Sequence, residues 1–280
     1  MTTSTTTSMT TTLHHRGSAA IASGRVTFGR VLHAEWIKFR SLRSTLYLLL
    51  ATVATMVGLG TLSAWGLTAA MDDGQPVTDA MIHALPSGGL AFGQLLIGAL
   101  AVLFISTEYA SGMIQATMTT VPTRTAVLAA KALIIAAVSY AVGTGSALLT
   151  HAAVQPLLRP DDLDFVLTTT GVAGSIARTG LYLALVALMA LALGALLRNS
   201  AGGIVTLSAL LLVLPTALSV ISGDLVAEIA EYLPSNAGNQ LVAIEIADDA
   251  LTQLQGGLVM GVWALVPLIA ATVLLKRRDV

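Results

Sequence analysis

Charged side chains are rare in this sequence, and one of them stands where an apolar run ends. The segment EYASGMIQATMTTVPTR, residues 108–124, follows eighteen uncharged residues, 90–107. A carboxylate at the centre of a membrane helix costs about 2.5–3.5 kcal/mol, so we expect Glu108 at the membrane boundary. There it would orient the following residues by pairing with Arg124 or with Lys131, the two cations that precede the next apolar run.

Groups that could carry covalent or metal chemistry are few. The chain has no cysteine, and its five histidines lack HExxH-like spacing. Neither the GxxxxGK[ST] phosphate loop nor a GxSxG nucleophile elbow occurs. Gln94, Tyr140 and His151 are polar residues in apolar runs, which is more typical of helix–helix hydrogen bonds than of catalysis. We therefore expect no catalytic residue, no metal and no cofactor, and we predict that the chain is not an enzyme.

The composition indicates a membrane protein. Hydrophobic residues make up 55% of the 280 residues and charged residues only 10%, with a mean hydropathy of +0.82. A soluble domain usually carries about 25% charged residues. The net charge of −1 gives no basic field that would attract nucleic acid.

Six apolar runs have the length of membrane spans, which need about 20 residues to cross roughly 30 Å of hydrocarbon. These runs are residues 45–70, 90–107, 132–154, 179–197, 203–222 and 257–275. Helices satisfy every backbone group internally, and the runs are too long for barrel strands. The predicted fold is therefore all-α, a polytopic membrane protein with six transmembrane helices in residues 26–280. The Thr-rich residues 1–25 are predicted to be a disordered tail.

The distribution of charge predicts the orientation. Twelve of the fourteen basic residues fall on one side of a six-span topology, whereas most acidic residues fall on the other side. The positive-inside rule then places both termini and the loop at 108–124 in the cytoplasm. The predicted location is the cell inner (plasma) membrane.

The basic segment 26–43 has an apolar face that precedes the first span. This face comprises Phe28, Val31, Leu32, Trp36 and Phe39, with basic residues elsewhere around the helix. Such a helix can lie in the headgroup plane, where its cations meet anionic lipid. The alternative is a soluble helix that covers another part of the protein. We predict an interfacial amphipathic helix that contacts membrane lipid.

Residues 108–131 carry a resemblance to a known family. After Glu108 and Gly112 come Met113, Ile114 and Met118 in a short apolar segment, then Pro122, Arg124 and Lys131. With the basic segment AEWIKFRSLRST before span one and the acidic loop before span six, this order resembles the permease subunits of bacterial type-2 ABC transporters, the exporter class. An ordinary intracellular loop is the alternative for residues 108–124 taken alone.

The resemblance implies a function and partners. In that family the segment after span two is a coupling helix that docks into a separate ATP-binding subunit. Carried over, residues 112–120 would be the docking helix, flanked by Glu108 and Arg124. The chain would be the membrane-spanning subunit of an ATP-driven exporter for an amphipathic, drug-like, peptide or lipid substrate. A second permease, identical or related, would complete the path. A secondary carrier and a non-transporting immunity or structural protein are the alternatives.

Two further patterns predict packing. Gly89 and Gly93, like Gly257 and Gly261, are spaced four apart, which lets helices approach closely within one chain or between two. The loop at 223–256 has six acids and no base, and helical periodicity in DLVAEIAEYL and LVAIEIADDALTQL. Pro234, with Asn236 and Gly238, is expected to break these two helices apart. The apolar content of the loop favours packing against the outer end of the bundle.

Overall fold

The protein is a bundle of α-helices. The computed structural model describes residues 27–73, 75–76, 78–111, 124–158, 167–246 and 250–277. The predicted tail at 1–25 lies outside this range, as do Gly112, Met113, Ile114, Met118 and Pro122. No strand occurs in the described part of the chain, so the all-α prediction is confirmed there.

The helices are numbered in chain order. They are α1 (Phe28–Ser41), α2 (Arg43–Asp72), α3 (Asp79–Ala84), α4 (Leu90–Ala110), α5 (Arg124–Leu158), α6 (Val172–Leu197), α7 (Ser200–Ser208), α8 (Leu214–Ser219), α9 (Asp224–Glu231), α10 (Pro234–Val242) and α11 (Gln253–Arg277). A π-helical turn, Ala209–Val213, joins α7 to α8, so that 200–219 form one long helical segment.

Six helical segments are long and apolar enough to cross a membrane: α2, α4, α5, α6, the α7–α8 segment and α11. They coincide with the six predicted spans, and most extend beyond the predicted bounds by a few residues. The polar or charged residues at their ends do not interrupt the backbone hydrogen bonds of a helix. The chain thus has the architecture of a multi-pass membrane protein.

Helix α6 forms the centre of the bundle and packs against α4, α5 and α11. Its approach to α5 is very close, because a Cβ atom on Gly143 would lie 2.9 Å from the Cα atom of Gly180. Small residues at a membrane helix interface allow such backbone contact. By contrast, α2, the α7–α8 segment and α11 turn much of their apolar surface outward.

Different helices meet at the two ends of the bundle. At one end, Phe28 of α1, Thr125 of α5 and Thr272 of α11 line the same depression. At the other end, Ile82 of α3, Leu158 of α5 and Val172 of α6 share a separate apolar cluster. The first end therefore gathers α1, the beginning of α5 and the basic end of α11, and it is called the α1 end below.

The acidic loop forms two short helices, and the second lies earlier in the chain than the sequence predicts. The predicted break occurs, since α9 ends at Glu231 and Pro234 opens α10; proline suits the first helical turn, which needs no N–H donor. Asn236 and Gly238 lie inside α10, and the amide of Asn236 donates to the carbonyl of Ala230. The helix ends at Val242, so the predicted helix LVAIEIADDALTQL does not form in residues 243–246.

The small-residue pairs pack differently from each other. Gly89 and Gly93 adjoin Met56 of α2, and a Cβ atom on Gly89 would lie 2.3 Å from the Met56 backbone. A Cβ on Gly257 would meet the side chain of Leu241 at 3.2 Å, whereas one on Gly261 would meet nothing within 4 Å. The first pair therefore packs spans within this chain.

Candidate functional site: a charge cluster at the α1 end

Four charged side chains from three helices meet at the α1 end of the bundle. Lys131 of α5 lies between two carboxylates, with its Nζ 2.7 Å from Glu35 Oε2 of α1 and 2.9 Å from Glu108 Oε1 of α4. Lys38 contacts the same acids, at 2.7 Å from Glu35 Oε1 and 3.1 Å from Glu108 Oε1. These four residues are called the charge cluster.

Three of the four residues of the charge cluster are almost completely buried. The relative exposures of Lys131, Glu35 and Glu108 are 1%, 2% and 6%. Isolated ions at such a place would be strongly disfavoured, but two acids and two lysines sum to zero charge, and each ion lies beside opposite ones. The balance of charge depends on α4 and α5 in particular, because withdrawing Glu108 or Lys131 would leave one charge of the cluster without a counterpart.

Lys131 makes two further contacts with α4. Its Nζ donates a 3.3 Å hydrogen bond to the carbonyl of Phe104 and lies 4.1 Å from the centre of the Phe104 ring. A cation over an aromatic face is attracted by about 2 kcal/mol or more when it is desolvated. The Phe104 ring in turn packs edge-on against Phe39 of α1, with centroids 5.0 Å apart. The ring and the charges thus join the same helices.

Lys38 lies at the edge of the cluster and outside the membrane-spanning helices. Burial alone would lower its pKa, but the hydrogen bond to Glu35 and the charges of Glu108 and Glu35 outweigh burial. The pKa of Lys38 is therefore raised above its ordinary 10.5, and this lysine is charged at neutral pH. Lys38 supplies the cluster with the cation nearest to solvent, with 31% of its side chain exposed.

Helical spacing on α1 explains why Glu35 is buried. Val31, Glu35 and Phe39 follow one another at intervals of four, so they share one face of the helix. This face packs against α5, and Val31 contacts an apolar cluster with Val127 and Ala130. Glu35 is therefore buried because Val31 and Phe39, on either side of it along this face, pack into the bundle.

The residues of the predicted apolar face of α1 have different surroundings. Val31 and Phe39 are buried in the bundle, and Leu32 is half-buried against it. Phe28 and Trp36 are 47% and 42% exposed. Trp36 stacks on Phe39 at a centroid distance of 6.0 Å. Part of this face thus contacts protein, and Phe28 and Trp36 are its accessible part.

The structure places Glu108 beside Lys131, one of the two cations considered as its partner. The other cation, Arg124, begins α5, and its side chain lies outside the described residues. Glu108 and Lys131 stand on the two helices that flank residues 112–123. The charge cluster therefore fixes the spacing between the end of α4 and the beginning of α5, from which that segment extends.

Sequence reasoning missed Glu35, although the sequence contains a signal for it. Glu35 is the only acidic residue among the first 71 residues, within an otherwise basic segment. It also shares a helical face with Val31 and Phe39, which is an unusual place for a charge on an amphipathic helix. An acid among apolar residues predicts a buried cationic partner, and Lys131 is that partner.

A second set of contacts joins α4 to α7 and to the turn that precedes it. The hydroxyls of Ser106 and Ser200 are hydrogen-bonded at 2.7 Å, which joins α4 to the start of α7. Arg198, in the turn between α6 and α7, lies 5.2 Å from the ring of Tyr109. Its backbone has a φ of 53°, a left-handed conformation that costs energy for any residue other than glycine, because the Cβ atom crowds the backbone. The end of α4 is thus bounded by α1, α5 and this turn.

Among the three polar residues of the spans that the sequence singles out, Gln94 forms a hydrogen bond between helices. The hydroxyl of Tyr182 on α6 donates to the buried Gln94 on α4, as expected for a hydrogen bond between helices. His151 is buried, whereas Tyr140 is 42% exposed. Nowhere in the described ranges do three or more histidine, aspartate or glutamate residues group in a way that could hold a metal ion.

At the end of the bundle opposite α1, polar side chains hold the end of α10. Ser175 donates to the carbonyl of Val242 at 2.5 Å, and Arg178 donates to the carbonyl of Ala243 at 3.1 Å. The amide of Gln253 also donates to Ala243, at 2.8 Å. Donors near the last carbonyls of a helix satisfy groups that have no partner inside it. These contacts join α10 to α6 and α11.

Comparison with known proteins yields no match to a protein-family model, to a curated protein or to a solved structure.

Proposed function

We propose that this chain is the membrane-spanning subunit of an ATP-driven exporter, of the type-2 ABC class that its sequence resembles. The observation that carries the proposal is the charge cluster, which ties α1 to the two helices flanking residues 112–123. A segment that transmits force from a soluble ATPase needs a rigid attachment to the spans. Ion pairs among α1, α4 and α5 supply such an attachment.

Two further observations support the proposal. The six span-length helices are half the number that such exporters use, which agrees with two permease copies or with a related second chain. The α1 end brings together α1, the beginning of α5 and the basic end of α11, in line with a cytoplasmic face and cytoplasmic termini. The chain would then lie in the cell inner membrane with its acidic loop outside.

In this mechanism, a partner ATPase closes on ATP and moves the coupling segment at 112–120. The displacement passes through Glu108 and Lys131 to α4 and α5, and through Glu35 to α1. The bundle then changes from one packing to another, and ATP favours the packing that opens outward. The apolar spans suit an amphipathic, drug-like, peptide or lipid substrate.

A secondary carrier fits the charge distribution less well. Such carriers place ionisable or unwound sites near the middle of the membrane. Here the buried ions Glu108 and Lys131 stand close to the ends of α4 and α5, and each is paired. Their position suits a mechanical link better than an ion path.

The test is co-purification from the native cells in mild detergent, with the chain tagged. We expect a subunit that contains a Walker motif to co-purify, together with vanadate-sensitive ATP hydrolysis. Replacing Met113, Ile114 and Met118 by alanine should weaken this association, since a hot-spot truncation costs about 2 kcal/mol or roughly thirtyfold in affinity. As a matched control, alanine at the outward-facing Leu258, Val262 and Val266 of α11 should leave it intact.

Two results would contradict the proposal. One is purification of the folded chain without any nucleotide-binding subunit, which would favour a carrier or a non-transporting membrane protein. The other is full association in the triple alanine variant, which would make residues 112–120 an ordinary loop.

A further inference from the structure

The α7–α8 segment packs into the bundle along only its first half. Gly203, Leu207 and Leu211 follow one another at intervals of four, so they share one helical face, and all three are buried. A Cβ atom on Gly203 would lie 2.7 Å from the side chain of Val102, so α7 lies directly against α4. Beyond Leu211, by contrast, none of the described residues of α8 and α9 is buried.

Residues 212–232, which contain α8 and α9, are called the arm. Most of its large apolar side chains face outward, and Val220 and Leu225 are 80% and 75% exposed. The far end of the arm contacts the bundle, where Trp263 of α11 donates to the carbonyl of Tyr232 at 2.9 Å. In a membrane the outward side chains would meet lipid chains, which are as apolar as leucine. A movement of the arm therefore exchanges one set of lipid contacts for another and disturbs little protein packing.

The change from buried to exposed coincides with the π-helical turn Ala209–Val213. Here the N–H of Leu214 donates to the carbonyl of Ala209, five residues back instead of the usual four. Because this turn holds one residue more than an α-helical turn, the residues after it are rotated by about 100° relative to a regular helix. The buried face of α7 therefore does not continue along α8.

Two side chains just after the π turn also weaken the helix. Pro215 has no N–H to donate, and its ring would crowd the carbonyl of Leu211 in a regular α-helix. The hydroxyl of Thr216 donates to the carbonyl of Leu212 at 2.7 Å. Prolines, π turns and hydroxyls bonded to the preceding turn are recognised causes of helix bending. All three occur together within one short stretch of this span.

Helix α11 shows that a proline alone does not separate a span from the bundle. Pro267 lies inside this helix, which is α-helical throughout Gln253–Arg277. Met260 and Ala264 before the proline and Ala271 after it are all buried. The buried face of α11 thus continues past its proline, whereas that of the α7–α8 segment ends at the π turn.

We propose that the π turn is a hinge, about which the arm pivots between two positions while α7 stays fixed to α4. Gly223, which joins α8 to α9, provides the second joint that a pivoting arm with a fixed far end needs. Its φ of 151° lies in the region that favours glycine. This proposal does not depend on the proposed transport function.

The experiment measures distances between spin labels by pulsed electron paramagnetic resonance, on the full chain in nanodiscs. The chain has no native cysteine, so labels attach only at introduced ones. One pair joins Val220 of the arm to Leu258 of α11, and the control pair joins Val205 of α7 to the same Leu258. All three positions are more than 60% exposed, so they accommodate a label.

The two pairs should differ in their distance distributions. Val220 lies about 10 Å beyond the π turn, so a bend of about 20° displaces it by roughly 3–4 Å. We expect two distances separated by up to about this amount for the Val220 pair. The Val205 pair should give one narrow distribution, because α7 and α11 are both packed into the bundle.

A double variant tests whether the movement originates at the hinge. Pro215→Ala restores a backbone donor, and Thr216→Val removes the hydroxyl while keeping the shape of the side chain. Together they should reduce the Val220 pair to a single distance. Pro267→Ala in α11 is the matched control and should leave both distances in place.

Equal widths for the Val220 and Val205 pairs, with the hinge residues unaltered, would overturn the proposal whatever the variants do. Two distances that persist in the folded double variant would also overturn it, since the movement would then arise elsewhere in the chain.

Discussion

At the residue scale, Lys131 is the central member of the charge cluster. It is the most buried of the four residues, and it lies between Glu35 and Glu108 at 2.7 and 2.9 Å. Without it, two carboxylates would face each other with only the partly exposed Lys38 to separate them. Removing this one ammonium group would therefore leave the buried acids with an unbalanced charge.

We expect Lys131→Met to lower the free energy of unfolding by about 3–5 kcal/mol, the usual effect of breaking a buried ion pair. Thermal unfolding in detergent measures it. Lys276→Met, at an exposed position near the end of α11, is the control and should change stability by less than about 0.5 kcal/mol. Adding Glu35→Gln to Lys131→Met should recover part of the loss, because the charges are then balanced again. Equal stability of the two methionine variants would show that the cluster is not a structural link.

At the element scale, the sequence predicts the spans better than it predicts their contacts. Apolar runs of about 20 residues mark a membrane helix whatever its neighbours are, so all six were found. The helix break expected at Pro234 occurs just before it, but the second helix was predicted too far along the chain, because proline suits the first turn of a helix and Pro234 begins α10. The sequence limited the partner of Glu108 to Arg124 or Lys131. It did not predict that Glu35 is buried beside the same lysine. The ion pair between Glu35 of α1 and Lys131 of α5 joins residues far apart in the chain, so no local sequence pattern predicts it.

Helix α10 shows how one glycine can control an element. A Cβ atom on Gly238 would lie 2.0 Å from the Tyr182 ring, which is held by its hydrogen bond to Gln94. We expect Gly238→Ala to reduce stability by about 1–3 kcal/mol through overpacking. It should also make residues 224–246 more sensitive to protease. Gly261→Ala on α11, where a Cβ meets nothing within 4 Å, is the control. Equal protease sensitivity of the two variants would mean that α10 does not depend on close packing against α6.

At the scale of the whole molecule, the proposal depends on which end of the bundle faces the cytoplasm. Cysteines introduced at Asp73, Asp162 and Asp249 should react with an impermeant thiol reagent outside intact cells. Cysteines at Thr123 and Arg277 should react only after lysis. The chain has no native cysteine, so every labelled site is the introduced one. Labelling of position 162 from the inside would contradict the six-span topology.

The most direct test of the central claim is the rate of ATP hydrolysis by the co-purified complex in nanodiscs, with and without Glu108→Gln. This change keeps the shape of the side chain but removes the charge that Lys131 and Lys38 contact. We predict that hydrolysis falls about tenfold, equivalent to roughly 1.4 kcal/mol, while the amount of bound ATPase subunit stays the same. Hydrolysis unchanged at equal assembly would contradict the claim that the charge cluster links the ATPase to the membrane helices.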